Sequence, residues 1–185
     1  MKTRDEALAL LYKYNETESL RTHGLAVEAV MRHFAKKYQE DEDYWGMVGL
    51  LHDLDYEKYP EKHCVMTKEI LTEEGYDEDF IRAILSHGFG MCTDVLPEKL
   101  VEKVLYTIDE LTGLITATAI MRPSKSVMDL EVKSVKKKFK QASFAQGVNR
   151  EVILKGAEML GLSLEEVIEE SILGMRKEAK ALHLE

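Results

Sequence analysis

Cysteine is scarce in this sequence. Cys64 and Cys92 are the only two, and they form neither a C-x-x-C pair nor a repeated spacing. That argues against a disulfide framework and a thiolate zinc site, and two free thiols suit a reducing cytoplasm. Only three prolines and eleven glycines punctuate the 185 residues, so little interrupts long helices. Positive charge is short as well: 25 Lys and Arg against 34 Asp and Glu leave a formal net charge of -9. A general binder of nucleic-acid polymers needs a positive field along the phosphates, which sets that class aside. A small phosphorylated substrate stays open, because a local metal can reverse the sign inside a cleft. No apolar run approaches the roughly 18 residues of a membrane span. Asp5 and Glu6 interrupt the N-terminus where a secretory leader would need apolar residues. The expectation is a cytoplasmic protein with no membrane partner.

What is present reads as helix almost throughout. Apolar residues make up 45% and charged residues 32%, the balance of a globular chain with a sizeable core. The expected fold is all-α, a single domain over 1–185 with its core at about 17–121 and a C-terminal helical extension over 126–182. Apolar residues recur at helical spacing over 3–14, 17–38 and 41–52, then 61–74, 77–86, and from Pro97 to Met121. Thr17, Asp41 or Asp43, and Asn149 are candidate N-caps, and Gly75 a helix stop. Ser126 with Asp129, and Ser163 with Glu166, read as capping boxes for helices over 127–140 and toward the C-terminus.

Several ionisable groups fall on the apolar faces of these helices. His23 shares a stripe with Leu20, Val27 and Val30, and His63 with Met66, Ile70 and Leu71. His87 follows Phe80 and Ile84 at the end of its helix, and Asp109 follows Val101 and Leu105. His52 and Asp53 end an apolar helix, where exposed carbonyls favour a cation. A single inward histidine is commonly a hydrogen-bonded core residue. An inward carboxylate such as Asp109 needs a cation, strong donors or a proton. Six such groups on converging faces are better explained by a shared ion. His33 sits at the rim of its stripe and reads as a surface residue, and His183 receives no role.

The order His23, His52-Asp53, Asp109 resembles the H…HD…D signature of the HD superfamily of metal-dependent phosphohydrolases. The stretch from His63 to Leu71 resembles the H-x-x-x-G-A-x-x-L segment of subfamilies with extra metal ligands, with Thr67 in place of the Gly. Ser86-His87-Gly88 resembles the further histidine of those subfamilies. A closer likeness, to a branch of bacterial HD-domain hydrolases, continues through Phe139–Ala145 and Val148–Glu151. The resemblance implies an HD-type helical core in which His23, His52, Asp53 and Asp109 bind one divalent cation. It also implies that His63 and His87 complete a second site bridged by Asp53.

Two imidazoles and two carboxylates suit Mn, Fe, Co, Ni or Mg with room for water. The expected activity is hydrolysis of a small phosphorylated, nucleotide-like substrate by metal-activated water. Asp53 is a candidate catalytic ligand. Asp55 is a candidate proton carrier or supporting residue, and Glu57 reads as a solvated loop charge. Tyr56 and Tyr59 either wall the pocket or pack the loop. Lys133, Lys136, Lys137, Lys138 and Lys140 form a basic cluster that is either a solvated face or a reach toward phosphate. Two other classes share the ligand set: a di-iron oxygenase, and a non-catalytic signalling module on the same fold.

Overall fold

The helical periods close into nine α-helices among residues 2–185, which the computed structural model describes. They are α1 (Arg4–Tyr14), α2 (Glu18–Tyr38), α3 (Glu42–Leu51), α4 (Val65–Glu73) and α5 (Glu78–Leu85), then α6 (Leu100–Met121), α7 (Val132–Phe139), α8 (Arg150–Leu160) and α9 (Leu164–Lys177). Among the described residues there is no strand, and the one β pairing is the isolated bridge between Phe89 and Thr93. The protein is all-α.

Local chemistry sets most of the boundaries. Asp41 accepts from the backbone N–H of Asp43 and Tyr44, Asp77 from Phe80, and Asn149 from Val152. Ser163 and Glu166 form the capping box read from the sequence. Gly75 takes a left-handed φ of 80° just past α4.

Four boundaries differ from expectation. Thr17 makes no side-chain cap. Glu57 instead reaches across from the loop after α3 to the backbone N–H groups of Glu16 and Thr17 and to the Thr17 hydroxyl. The loop charge is therefore a remote cap. α6 begins at Leu100 rather than Pro97, because buried Glu102 accepts from the N–H of Glu98 and Lys99 and fixes the first turn there. Ser126 donates to the carbonyl of Leu184 and starts no helix, so α7 waits until Val132. His63 lies in a non-helical turn before α4 rather than on it.

The core is built on the two long helices. α2 packs against α3, α6 and α9, and α6 also carries α8. One hydrophobic cluster runs from Ala7 to Leu184, so the residues after Met121 share the core of the rest. α6 is long and apolar enough to cross a membrane by length and composition, and its apolar window is mostly buried in this core. His33 departs from the surface reading. Its Nε2 lies 2.5 Å from Glu170, and its Nδ1 accepts from Lys177 at 2.9 Å, which ties α2 to α9.

α2 and α3 approach each other closely, and glycines permit it. A Cβ on Gly49 would stand 2.8 Å from Met31 Cγ and 3.0 Å from the Val27 carbonyl oxygen. Alanine is the better helix former, yet here it would push two core helices apart. Gly49→Ala is expected to destabilise the protein by about 1–3 kcal/mol in urea unfolding, as overpacked core sites do. A neutral or stabilising result would show the contact to be slack.

Candidate metal centre

Five parts of the chain deliver side chains to one point. α2 presents His23, the end of α3 presents His52 and Asp53, the turns flanking α4 and α5 present His63 and His87, and α6 presents Asp109. His23 Nε2 lies 3.2 Å from His52 Nε2, and both lie close to Asp109 Oδ1, at 3.0 and 3.1 Å. His63 Nε2 lies 3.2 Å from His87 Nε2. Asp53 stands between the two groups. Its Oδ2 faces His52 at 3.3 Å and His23 at 3.6 Å, and its Oδ1 faces His63 and His87 at 3.4 Å each. The structure thus brings together all six residues that the sequence singled out, as one set of four and one of three sharing Asp53.

The far side of three imidazoles is already engaged. His52 Nδ1 donates to the Gly49 carbonyl at 2.7 Å, and His87 Nδ1 to the Ile84 carbonyl at 2.5 Å. His63 Nδ1 meets Asp55 Oδ1 at 2.7 Å. A proton committed to Nδ1 leaves the Nε2 lone pair facing inward. Lone pairs 3.2 Å apart repel unless a proton or a cation lies between them. Separations of 3.0–3.4 Å also match neighbouring ligands about 2.1 Å from one ion. The donor set therefore fits a divalent metal, in the four-residue set and again in the three-residue set.

Burial sharpens this electrostatic demand. Burial opposes charge on His52, but the Asp53 and Asp109 carboxylates outweigh it and raise its pKa well above the ordinary value. Burial likewise opposes charge on Asp109, and His52 with His23 holds that carboxyl far below its usual range. His63 is raised against its burial by Asp55 and Asp53.

Asp55 is fully buried. One oxygen holds His63, and the other accepts from the Thr67 N–H at 2.8 Å, in the first turn of α4. Both contacts fix the position of His63. Asp55 also does the capping that Cys64, with φ 72°, does not. Thr67, where the resemblance has Gly, keeps a buried hydroxyl with no partner.

Above the cluster lies a cavity of about 430 Å³, whose walls include Tyr56, Met91, Cys92, Glu110 and Val148. Tyr59 and the five lysines of the basic cluster are not among its walls. Lys136 pairs with Glu165 and Lys133 with Glu131, so that cluster is engaged locally. Buried Cys64 and exposed Cys92 touch each other at 2.8 Å, and the hydrogen bond from Cys64 lowers Cys92 to about 6 against its partial desolvation.

Sequence reasoning missed Glu110. It is the residue next to Asp109, off the buried stripe, yet it lines the cavity and accepts from the Asn149 N–H at 3.0 Å. Burial, then the Asp109 charge, raises its pKa. Arg150 was missed as well. Its guanidinium donates to the carbonyls of Lys138, Phe139, Gln141, Phe144, Ala145 and Val148. That hub winds the loop after α7 into place and sets Val148 on the cavity wall. A cavity of similar volume at Arg4, Glu28 and Arg32 is an ion-pair seam, with both guanidiniums held by Glu28 at 2.6 and 3.0 Å.

Residues 20–137 match the family model described as HD domain. No curated protein and no solved structure matches the chain significantly.

Two outcomes follow from this geometry. Asp55→Asn is expected to weaken metal binding by about 10–100-fold, as loss of a partner that orients a ligand does. Titration with Mn or Co by calorimetry reads this, and an unchanged affinity would remove the positioning role. The second outcome concerns pH. A raised His52 pKa gives stability that is fully present below 6.5 and lost as pH rises through the raised value. The lowered carboxyls give stability that is present above 3.8 and lost as pH falls through their own lowered values. Chelated protein should therefore lose melting temperature as pH climbs above 6.5, while metal-loaded protein should not. Parallel declines in the two melting series would refute the charge balance described here.

Proposed function

The chain belongs to the HD domain family of metal-dependent phosphohydrolases, and from that premise we propose that it hydrolyses a small phosphorylated substrate in the cavity over His23, His52, Asp53, His63, His87 and Asp109. The observation that supports this most is Asp53, with one carboxylate oxygen turned to each histidine pair. His23, His52, Asp53 and Asp109 would hold one divalent cation, and Asp53, His63 and His87 a second. Mn, Fe, Co, Ni and Mg all suit this donor set. A cation there supplies Lewis acidity, readying water as a nucleophile near neutral pH and drawing charge from a phosphoryl oxygen.

The protein's own groups do the rest. His52 and His87, tied through Nδ1 to backbone carbonyls, keep their Nε2 lone pairs aimed at the site. Asp55 does the same for His63. Tyr56, Met91 and Val148 supply apolar wall beside the cluster. As water adds to phosphorus and the ester P–O bond breaks, the leaving oxygen needs a proton. Glu110, a cavity carboxyl outside the His/Asp cluster, is placed to hold that proton on its Oε. The net charge of -9 and the pair of free thiols support a cytoplasmic protein acting on a small molecule rather than on a nucleic-acid polymer or a membrane.

A second reading draws on the same six residues. Two irons at this cluster would suit oxygen activation, and Asp53 between two histidine pairs is the feature that favours it. Protein purified without oxygen and analysed for metal separates the two. A stoichiometric iron pair with oxygen uptake and no phosphate release would favour the oxygenase.

The direct test is a screen of Mn, Co, Ni, Fe and Mg against nucleotides, small phosphate esters and cyclic dinucleotides, with Asp53→Ala as the blank. Phosphate or phosphoester release is expected with at least one metal and absent in the Asp53 variant. Release that survives Asp53→Ala, or no release under any pairing, would overturn the proposal.

A further inference from the structure

Beside the metal centre lies a second and larger cavity, about 580 Å³ against about 430 Å³. The two cavities share His23 and Gly113, so they adjoin at the edge of the cluster where α2 and α6 meet. The lining of the second cavity is mainly carbon, with Ala117 and Ile120 from α6 and Leu182 and Leu184 from the segment after α9. That segment is fixed. The Leu184 carbonyl accepts from the Val127 N–H at 2.8 Å and the Ser126 hydroxyl at 3.1 Å, and Leu182 and Leu184 are buried. Its polar residues are Ser19, Thr22, Thr116 and Lys125, with Glu18 and His183 3.4 Å apart and largely exposed.

Gly113 supplies the second observation. A glycine inside a 22-residue helix is destabilising relative to alanine. The glycines at 24, 46, 49, 156 and 174 each admit a close neighbour, whereas a Cβ at Gly113 would meet nothing within 4 Å. No packing contact explains this glycine. The open space in front of it belongs to the two cavities it lines.

We propose that the groove beside Gly113 receives the organic part of the substrate, and that this part is a hydrocarbon chain or ring. The proposal rests on the hydrolase reading above for the phosphate end alone. A nucleobase is held by stacking on aromatic rings and by paired donors and acceptors along its edge. The only rings lining this groove are His23, which is turned into the His/Asp cluster, and the largely exposed His183, and no Phe, Tyr, Trp, Asn or Gln is among its walls. Carbon walls favour hydrocarbon instead, and each buried methylene adds roughly fourfold in affinity. The groove therefore selects an alkyl or aryl phosphate over a nucleotide.

The test separates binding in the groove from turnover. Hexylphosphonate, which has no ester bond to hydrolyse, and methylphosphonate are titrated into Mn-loaded protein by calorimetry. Hexyl phosphate, methyl phosphate and adenosine monophosphate are assayed for release of phosphate. Wild type is expected to bind hexylphosphonate at least about tenfold more tightly than methylphosphonate. Ile120→Asp, on a half-exposed position that should tolerate charge, and Gly113→Leu, which fills the junction, should each abolish most of that preference. Gly113→Ala is expected to raise the melting temperature by about 2–4 °C. Equal binding of the two phosphonates by wild type, or a preference that survives both variants, would overturn the groove assignment. A higher kcat/KM for adenosine monophosphate than for hexyl phosphate would overturn the hydrocarbon assignment. A lower melting temperature for Gly113→Ala would overturn the reading of Gly113. Hexylphosphonate preference without turnover of any ester would sink the hydrolase reading and leave the groove standing. Turnover with no phosphonate preference would do the reverse.

Discussion

Two pairs of imidazole nitrogens face each other at 3.2 Å, and this repulsion is the constraint that the rest of the structure serves. Left free, the rings would rotate apart. They cannot, because His52 and His87 are pinned through Nδ1 to carbonyls three residues earlier in their own turns. A donor set assembled before its ion arrives stores unfavourable electrostatics. Protons relieve part of this, which is why His52 is pushed up in pKa while Asp53 and Asp109 are pushed down. A divalent cation can relieve it for both groups at once. The same charge arrangement that is poor for a protein alone is what gives a metal its affinity.

The scaffold holds such a cluster because no donor depends on a free loop. His23 and Asp109 come from within the two long core helices, and His52 ends a helix buried along most of its length. Asp53 and His87 directly follow helices, at the ends of α3 and α5, whereas His63 stands in a turn ahead of its helix. Asp55 compensates by bonding His63 with one oxygen and the first turn of α4 with the other. A ligand on the least regular backbone thus receives the most rigid support. The loop over the cavity follows the same logic at its own scale, with six carbonyls gathered on the Arg150 guanidinium.

Helical period made most of this legible from sequence. His23 and Asp109 could be placed inward because apolar residues flank them at spacings of three, four and seven, and those spacings hold on any regular helix. Caps that act within one helix were legible too, as at Asp41, Asn149 and Ser163. What escaped, outside the His/Asp cluster, were interactions that cross between segments far apart in sequence. Glu57 capping α2, Ser126 bonding Leu184, and His33 meeting α9 have no local signature. Glu110 escaped for a different reason. It projects from α6 about 100° from Asp109, and only the position of the neighbouring Asn149 shows that this direction also faces the cavity.

The glycines show where the line between packing and function runs. At Gly49 the missing Cβ is replaced by Met31 and the backbone of Val27, so two helices close on each other and the histidines they carry come within reach. At Gly113 the missing Cβ is replaced by nothing. One letter in the sequence therefore marks opposite physical facts, a contact drawn tight and a space kept open, and propensity penalises both alike. A helix-weakening residue costs stability unless something else in the fold offsets it. At position 49 the offset is a core contact that draws α2 and α3, and the histidines they carry, together. At position 113 there is no such contact, and the open space lies where the two cavities adjoin.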